Sequence, residues 1–156
     1  MGLDMFLKRE ISLFNISNDR YENNITKNGK NLPFINPEKI DVIIEDVGYW
    51  RKFNALHKWF VDNVQDGIDE CQTGHVTIEH LKDLHKLLKD VQNNPENASK
   101  LLPTTEGFFF GGTDYDEYYF EYVSETIEIL ERLIKEHEKY HDTHEEYFTY
   151  SYRSSW

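Results

Sequence analysis

The chain has 156 residues, 29 acidic against 17 basic, a formal net charge of -12 and a mean hydropathy of -0.72, which suits one polar domain. Three Trp, ten Tyr and ten Phe supply enough large apolar surface to exclude a fully disordered chain, and no apolar run is long enough to span a membrane. The acidic balance disfavours a general nucleic-acid binder, whose affinity comes mostly from Lys and Arg on phosphates.

In chain order, Leu3 to Phe14 reads as one strand with imperfect alternation and room for a bulge. Residues 15–38, rich in Asn and holding Gly29, Pro33 and Pro37, read as a long surface loop. Ile40 to Val47 reads as a strand that enters a helix at Gly48. That helix runs from Tyr49 to about Gln65, with Trp50, Phe53, His57, Phe60, Val61 and Val64 on one apolar face at 100° per residue. Thr77 caps a second helix reaching about Val91, with Ile78, Leu81, Leu84, Leu88 and Val91 on one side. Gly107-Phe108-Phe109-Phe110-Gly111-Gly112 reads as a short strand or hairpin edge. The last helix starts near Thr113 or Asp114. It carries a heptad-like seam through Phe120, Val123, Ile127, Leu130, Ile134, His137, His141 and His144, suited to packing inside the domain or to pairing two chains as a homo-oligomer. Residues 147–156 form a C-terminal tail or an edge strand, since Tyr147 to Tyr152 alternates aromatic and polar residues. The expectation is a single α+β domain over residues 1–156, three helices packed on a small, largely antiparallel sheet.

Charge is uneven: residues 101–156 hold 13 acids and 4 bases. This acidic third is either a solvated helix face or a mimic of a phosphate backbone. The N-terminus shows no basic stretch, apolar core and small-residue cleavage site, so no signal peptide is expected. Met1-Gly2 is not followed by Ser or Thr at position 6, which is Phe6, so myristoylation is not expected. Cys71, the one cysteine, excludes an internal disulfide and fits a reducing cytosol. Asp69 and Glu70 beside it oppose a reactive thiolate.

Two segments are candidates for ligand binding. The first holds Trp50, Arg51, Lys52, His57, Lys58 and Trp59, a basic and aromatic island on an acidic protein. There an aromatic ring can stack on a base while a cation meets phosphate. The second is the Gly-rich loop with Phe109, Thr113 and Tyr115, where a Gly-Gly turn before a helix exposes backbone N–H groups to an anion. It carries no Walker sequence or dinucleotide fingerprint. No catalytic residue, cofactor or metal is assigned. His137, His141 and His144 share a helix face, but three ligands spread over two turns of a straight helix rarely close on one ion, so a fourth group or a second chain would be needed. His75-Val76-Thr77 and His141-Asp142-Thr143 match the paired His-x-Thr triplets of the 2H phosphoesterases, a family that places both on strands.

Met1-Gly2-Leu3-Asp4-Met5, Val47 to Lys52 with His57-Lys58-Trp59-Phe60, and Leu102-Pro103-Thr104 to Tyr115-Asp116-Glu117 resemble a family of small uncharacterised proteins of bacteriophages and prophages. The resemblance spans most of the chain outside residues 15–38 and the C-terminal tail. It implies a phage-type accessory protein in the bacterial host cytoplasm and supplies no mechanism. Three functions stand open. The leading expectation is non-catalytic binding of an anionic, nucleotide-like ligand, one form being a counter-defence sponge for an immune signalling nucleotide. The second is an acidic, DNA-mimic-like inhibitor of a host protein, and the third a phosphodiesterase using the His-x-Thr pair. A pocket requires the Trp50 segment and the Gly107 loop to meet.

Overall fold

The computed structural model describes residues 2–13, 25–36, 39–143 and 146–156. The architecture is α+β, with a four-stranded antiparallel sheet and four α-helices among the described residues. Strands β1 (Asp4–Ser12), β4 (Val42–Arg51), β5 (Gly74–Val76) and β6 (Tyr147–Ser155) run in the order β4-β1-β6-β5. Strands β2 (Thr26–Lys27) and β3 (Lys30–Asn31) form a separate hairpin inside the predicted loop. Asn28 and Gly29 turn it with φ of 53° and 73°, the pairing of residues that such tight turns favour. Residues 15–24 and 37–38 of that loop lie outside the described residues.

β1 and β6 share a face through alternation. Met5 and Leu7 are buried with Phe148, Tyr150 and Tyr152, while Phe6 and Lys8 point the other way, towards Tyr49 and Asp46. β4 carries the bulge: Leu7 pairs with Gly48 and Lys8 with Asp46, so Val47 is the extra residue. β6 is neither tail nor edge. It lies between β1 and β5, because three-residue β5 supplies a partner that the sequence shows only as a break at Gly74.

Helices α1 (Asn54–Val64), α2 (Ile78–Asn93) and α4 (Glu117–Glu136) and one-turn α3 (Ala98–Leu101) contribute to one core with the sheet. Phe60 of α1 stacks on Tyr152 with ring centroids 4.0 Å apart. Thr77 caps α2 by accepting from the His80 N–H, and the His80 ring accepts from the Thr77 N–H in return, a capping box closed by histidine. α4 starts later than expected, at Glu117, with Asp116 as its cap. Val123, Ile127 and Leu130 of its seam are buried within the chain, where α4 packs on α2. No helix of the described residues is long and apolar enough to cross a membrane.

The expected helix start at Tyr49 is corrected: Tyr49, Trp50 and Arg51 end β4. Trp50 reaches the core from a strand, where its indole donates to Thr126 Oγ1 of α4 at 2.9 Å. The indole folds back over Gly48, and a Cβ there would stand 2.5 Å from the ring. The expected strand at Gly107–Gly112 is also corrected, since this segment pairs with no strand and folds on itself. Phe110 lies over Gly107, where a Cβ would meet its ring at 2.5 Å.

Candidate functional site

Between the end of β4 and α1 the chain reverses in two residues, Lys52 and Phe53. Lys52 takes φ of 60° and donates its N–H to Leu3 O at 2.8 Å. The reversal leaves Arg51 and Lys52 exposed at one rim and buries Phe53 beneath them. Facing it is the Gly-rich loop, held by one side chain. Asn54 is 2% exposed; its Nδ2 donates to Phe110 O at 3.1 Å and Gly112 O at 2.7 Å, and its Oδ1 accepts from Thr105 N–H at 3.0 Å. Leu3 N–H, just before β1, donates to Phe109 O at 3.1 Å and holds the same loop there. Gly111, with φ of 87°, sits so close that a Cβ there would lie 3.0 Å from Lys52 Cβ.

These contacts enclose a cleft of about 300 Å³. Its floor is aromatic: Phe53 stacks on Tyr122 with centroids 5.2 Å apart and meets Tyr119 edge-on, and Tyr118 stands at the rim. Arg51 and Lys52 lie on one wall, Asp114 and Asp116 on the other. Arg51 Nε is 4.0 Å from Asp4; Lys52 has no ion-pair partner among the described residues. Asp116 is occupied as the α4 cap, accepting from Tyr119 N–H at 3.0 Å. The Tyr119 hydroxyl donates to Leu102 O at 2.8 Å, and burial, then the neighbouring Tyr115, pushes its pKa well above the ordinary tyrosine value.

The two expected segments do meet, but only Arg51 and Lys52 of the expected binding residues line the cleft. Trp50 is buried against Thr126. His57 is 1% exposed with both ring nitrogens engaged: Nδ1 pairs with the Tyr152 hydroxyl at 2.8 Å and Nε2 with Asp69 at 2.9 Å. Burial, then the charges of Asp69 and Cys71, raises the pKa of the Tyr152 hydroxyl, and both His57 nitrogens are engaged whichever ring nitrogen carries the proton. The Trp156 indole donates to the other Asp69 oxygen at 3.0 Å. This chain ties α1, β6 and the C-terminal residue together and leaves His57 no lone pair for a ligand. Lys58 pairs with Asp62 at 2.7 Å along α1, and Trp59 packs edge-on against Phe60. The Phe109 ring packs on Phe108. Thr113 O accepts from the Thr104 hydroxyl at 2.9 Å, and the Tyr115 hydroxyl accepts from Thr104 N–H at 3.1 Å, so both brace the loop outside the cleft lining.

The cleft also takes in Asn54 and Tyr122, which the sequence does not single out, together with Asp114, Asp116, Tyr118 and Tyr119 from the segment after the Gly-rich loop. The His-x-Thr triplets do not converge. His75 is exposed on β5 opposite Ser151, whereas His141 closes a π-helical turn, His137–His141, beside Tyr147 and Phe148. His137, His141 and Asp142 do gather; His144 lies outside the described residues. Comparison with protein-family models, curated proteins and solved structures gives no match for this chain.

Proposed function

We propose that the cleft binds an anionic, nucleotide-like small molecule without turning it over, and that the chain is a phage accessory protein. A counter-defence sponge for an immune signalling nucleotide is its concrete form. The observation that carries the binding reading is a cleft lined by Arg51 and Lys52 and by the rings of Phe53, Tyr119 and Tyr122, with the Gly-rich loop pinned by Asn54. The volume lies at the lower end for ligand sites, which suits a ligand of mononucleotide size. Tyr118 and Tyr122 offer ring faces to a base, the two cations meet its phosphate, and Asp114 accepts from amino or hydroxyl groups. Asp116 and Tyr119 are committed to structural hydrogen bonds, so neither is poised for proton transfer. The phage setting rests on the resemblance of the opening, Trp50 and Gly107 segments.

Thermal shift and calorimetry against mono-, di- and cyclic nucleotides test this. A binder present at about 100 times its Kd stabilises the fold by about 2.7 kcal/mol. The double variant Arg51→Gln, Lys52→Gln should weaken it at least about 100-fold, because each charge-assisted hydrogen bond contributes about 1.5–3 kcal/mol. A panel without a binder, or equal affinity in the double variant, refutes the reading.

A second reading has its own observation. Glu121, Glu125, Glu128 and Glu131 are all exposed along α4 and form an acidic stripe suited to a basic protein surface. Such binding would weaken steeply with salt and be indifferent to Arg51 and Lys52.

A further inference from the structure

We propose that His137, His141 and Asp142 form a binding site for a divalent transition metal of the zinc type. One nitrogen from each ring and one carboxylate oxygen lie within 4.8 Å of one another. Asp142 Oδ1 is 3.6 Å from His137 Nε2 and 3.5 Å from His141 Nδ1. Tetrahedral zinc with nitrogen and oxygen ligands sets its donor atoms about 3.4 Å apart, which both contacts to the Asp142 oxygen already approach, and closure on an ion requires the His141 ring to turn.

The π-helical turn makes this possible. On a regular α-helix, residues five apart stand about 140° from one another, and Asp142 would face away from His137. Here Asp142 N–H donates to His137 O at 3.1 Å, the wider i to i+5 closure that brings Asp142 round to the histidines. Asp142, from the same turn, thus supplies a third protein ligand beside the two histidines.

Two further observations point the nitrogens inward. His137 is 5% exposed, and its Nδ1 lies 3.2 Å from the Tyr150 hydroxyl. With the proton on Nδ1 directed at Tyr150, Nε2 presents its lone pair to the cluster, the usual outer arrangement of a metal-bound histidine. His141 Nδ1 is shielded from solvent yet has no hydrogen-bond partner among the described residues, a cost that a bound ion removes. His141 stacks on His137 with centroids 4.1 Å apart, and rotation of this more exposed ring turns its lone pair towards the shared ion. Asp142 is 55% exposed, so the remaining coordination positions open to water.

The test is calorimetry with zinc chloride on tag-free protein, paired with cobalt(II) absorption. The wild-type chain should take up one ion per chain and give the intense visible bands of a four- or five-coordinate cobalt site. His141→Ala and Asp142→Asn alter residues at the rim and should keep the fold by circular dichroism while weakening the ion about 10-fold or more. Tyr150→Phe should cost about 10-fold through the orientation of His137 alone. The proposal fails if the wild type gives no saturable binding, or if His141→Ala and Asp142→Asn bind as the wild type does. In the latter case the ion lies on other histidines, such as His75 or His85.

Discussion

Asn54→Ala isolates the anchor that holds the cleft. The side chain makes three hydrogen bonds, two to loop carbonyls and one from the Thr105 amide, at 3.1, 2.7 and 3.0 Å. Each such bond contributes about 1 kcal/mol net, for a gross loss of about 3 kcal/mol. Two effects reduce it. Gly112 is exposed, so water replaces part of what its carbonyl loses, and alanine is the better helix former at the first position of α1 by about 0.5 kcal/mol. The expected loss is about 2 kcal/mol, read as the shift in urea midpoint. The loop should loosen more than the core, because its packing rests on Phe110 between His57 and Trp156 while the core is untouched. Amides of α2 should quicken by at most about 30-fold, the equivalent of the 2 kcal/mol global loss, and the Thr105 amide, which also loses its own acceptor, should quicken by more. Asn54→Asp keeps the acceptor for Thr105 but sets a carboxylate against two carbonyls, so at neutral pH it should also release the loop. If Asn54→Ala leaves the midpoint and Thr105 exchange unchanged, the loop is held by something else and the account of the cleft is wrong.

Three further outcomes follow from the geometry. Gly48→Ala drives a Cβ into the fully buried Trp50 ring and should cost about 1–3 kcal/mol in urea denaturation; a neutral result would show that the indole can move without losing Thr126. Arg9, 12% exposed in its side chain, bridges Glu45 and Glu136 over the Phe148 ring; burial opposes its charge, but the two carboxylates outweigh that and raise its pKa. Arg9→Ala should cost about 2–3 kcal/mol, less than a fully buried pair because both glutamates reach water, and a loss under about 0.5 kcal/mol would make the bridge a surface ornament. Burial pushes Tyr150 up to about 12, against about 10 in the unfolded chain, so its contribution is intact below pH 10 and lost as pH rises from 10 through 12. The loss at Tyr150 is about 2–3 kcal/mol; Tyr150→Phe should make the alkaline limb shallower by that amount while Tyr119 and Tyr152 keep the rest of it, and a stability curve flat to pH 11 would contradict the burial of this hydroxyl.

Elements whose stabilising partners lie close in sequence were legible. The spacing of Leu81, Leu84, Leu88 and Val91 and the cap at Thr77 placed α2 within two residues of its observed end. The alternation of Tyr147 to Tyr152 showed a strand, but its place in the sheet was hidden because β5 has only three residues. The start of α1 was misplaced for a different reason. Trp50 and Phe53 fit a helical face with His57 and Phe60, and they also fit a strand followed by a reversal. What decides between them is Lys52 at φ of 60°, a conformation usually given to Gly or Asn, which a lysine does not advertise.

The same distinction governs the site. Residue types suggested a ligand-facing Trp50 and His57, yet their roles depend on partners far along the chain. Tyr152 is 95 residues from His57, and Thr126 is 76 from Trp50. Each distant partner removes a polar group from the set free to meet a ligand, so composition alone overstates a basic, aromatic segment. Asn54 is the converse case. An asparagine beginning a helix reads as ordinary local chemistry, and its three bonds exist only because the loop at 105–112 folds back on it. The cleft is thus a product of tertiary closure: Arg51 and Lys52 acquire an opposing wall only where Asn54 holds the loop. A variant that frees the loop should therefore lose ligand affinity while both cations remain in place, since the bound state must then order a segment that the wild type keeps ordered beforehand.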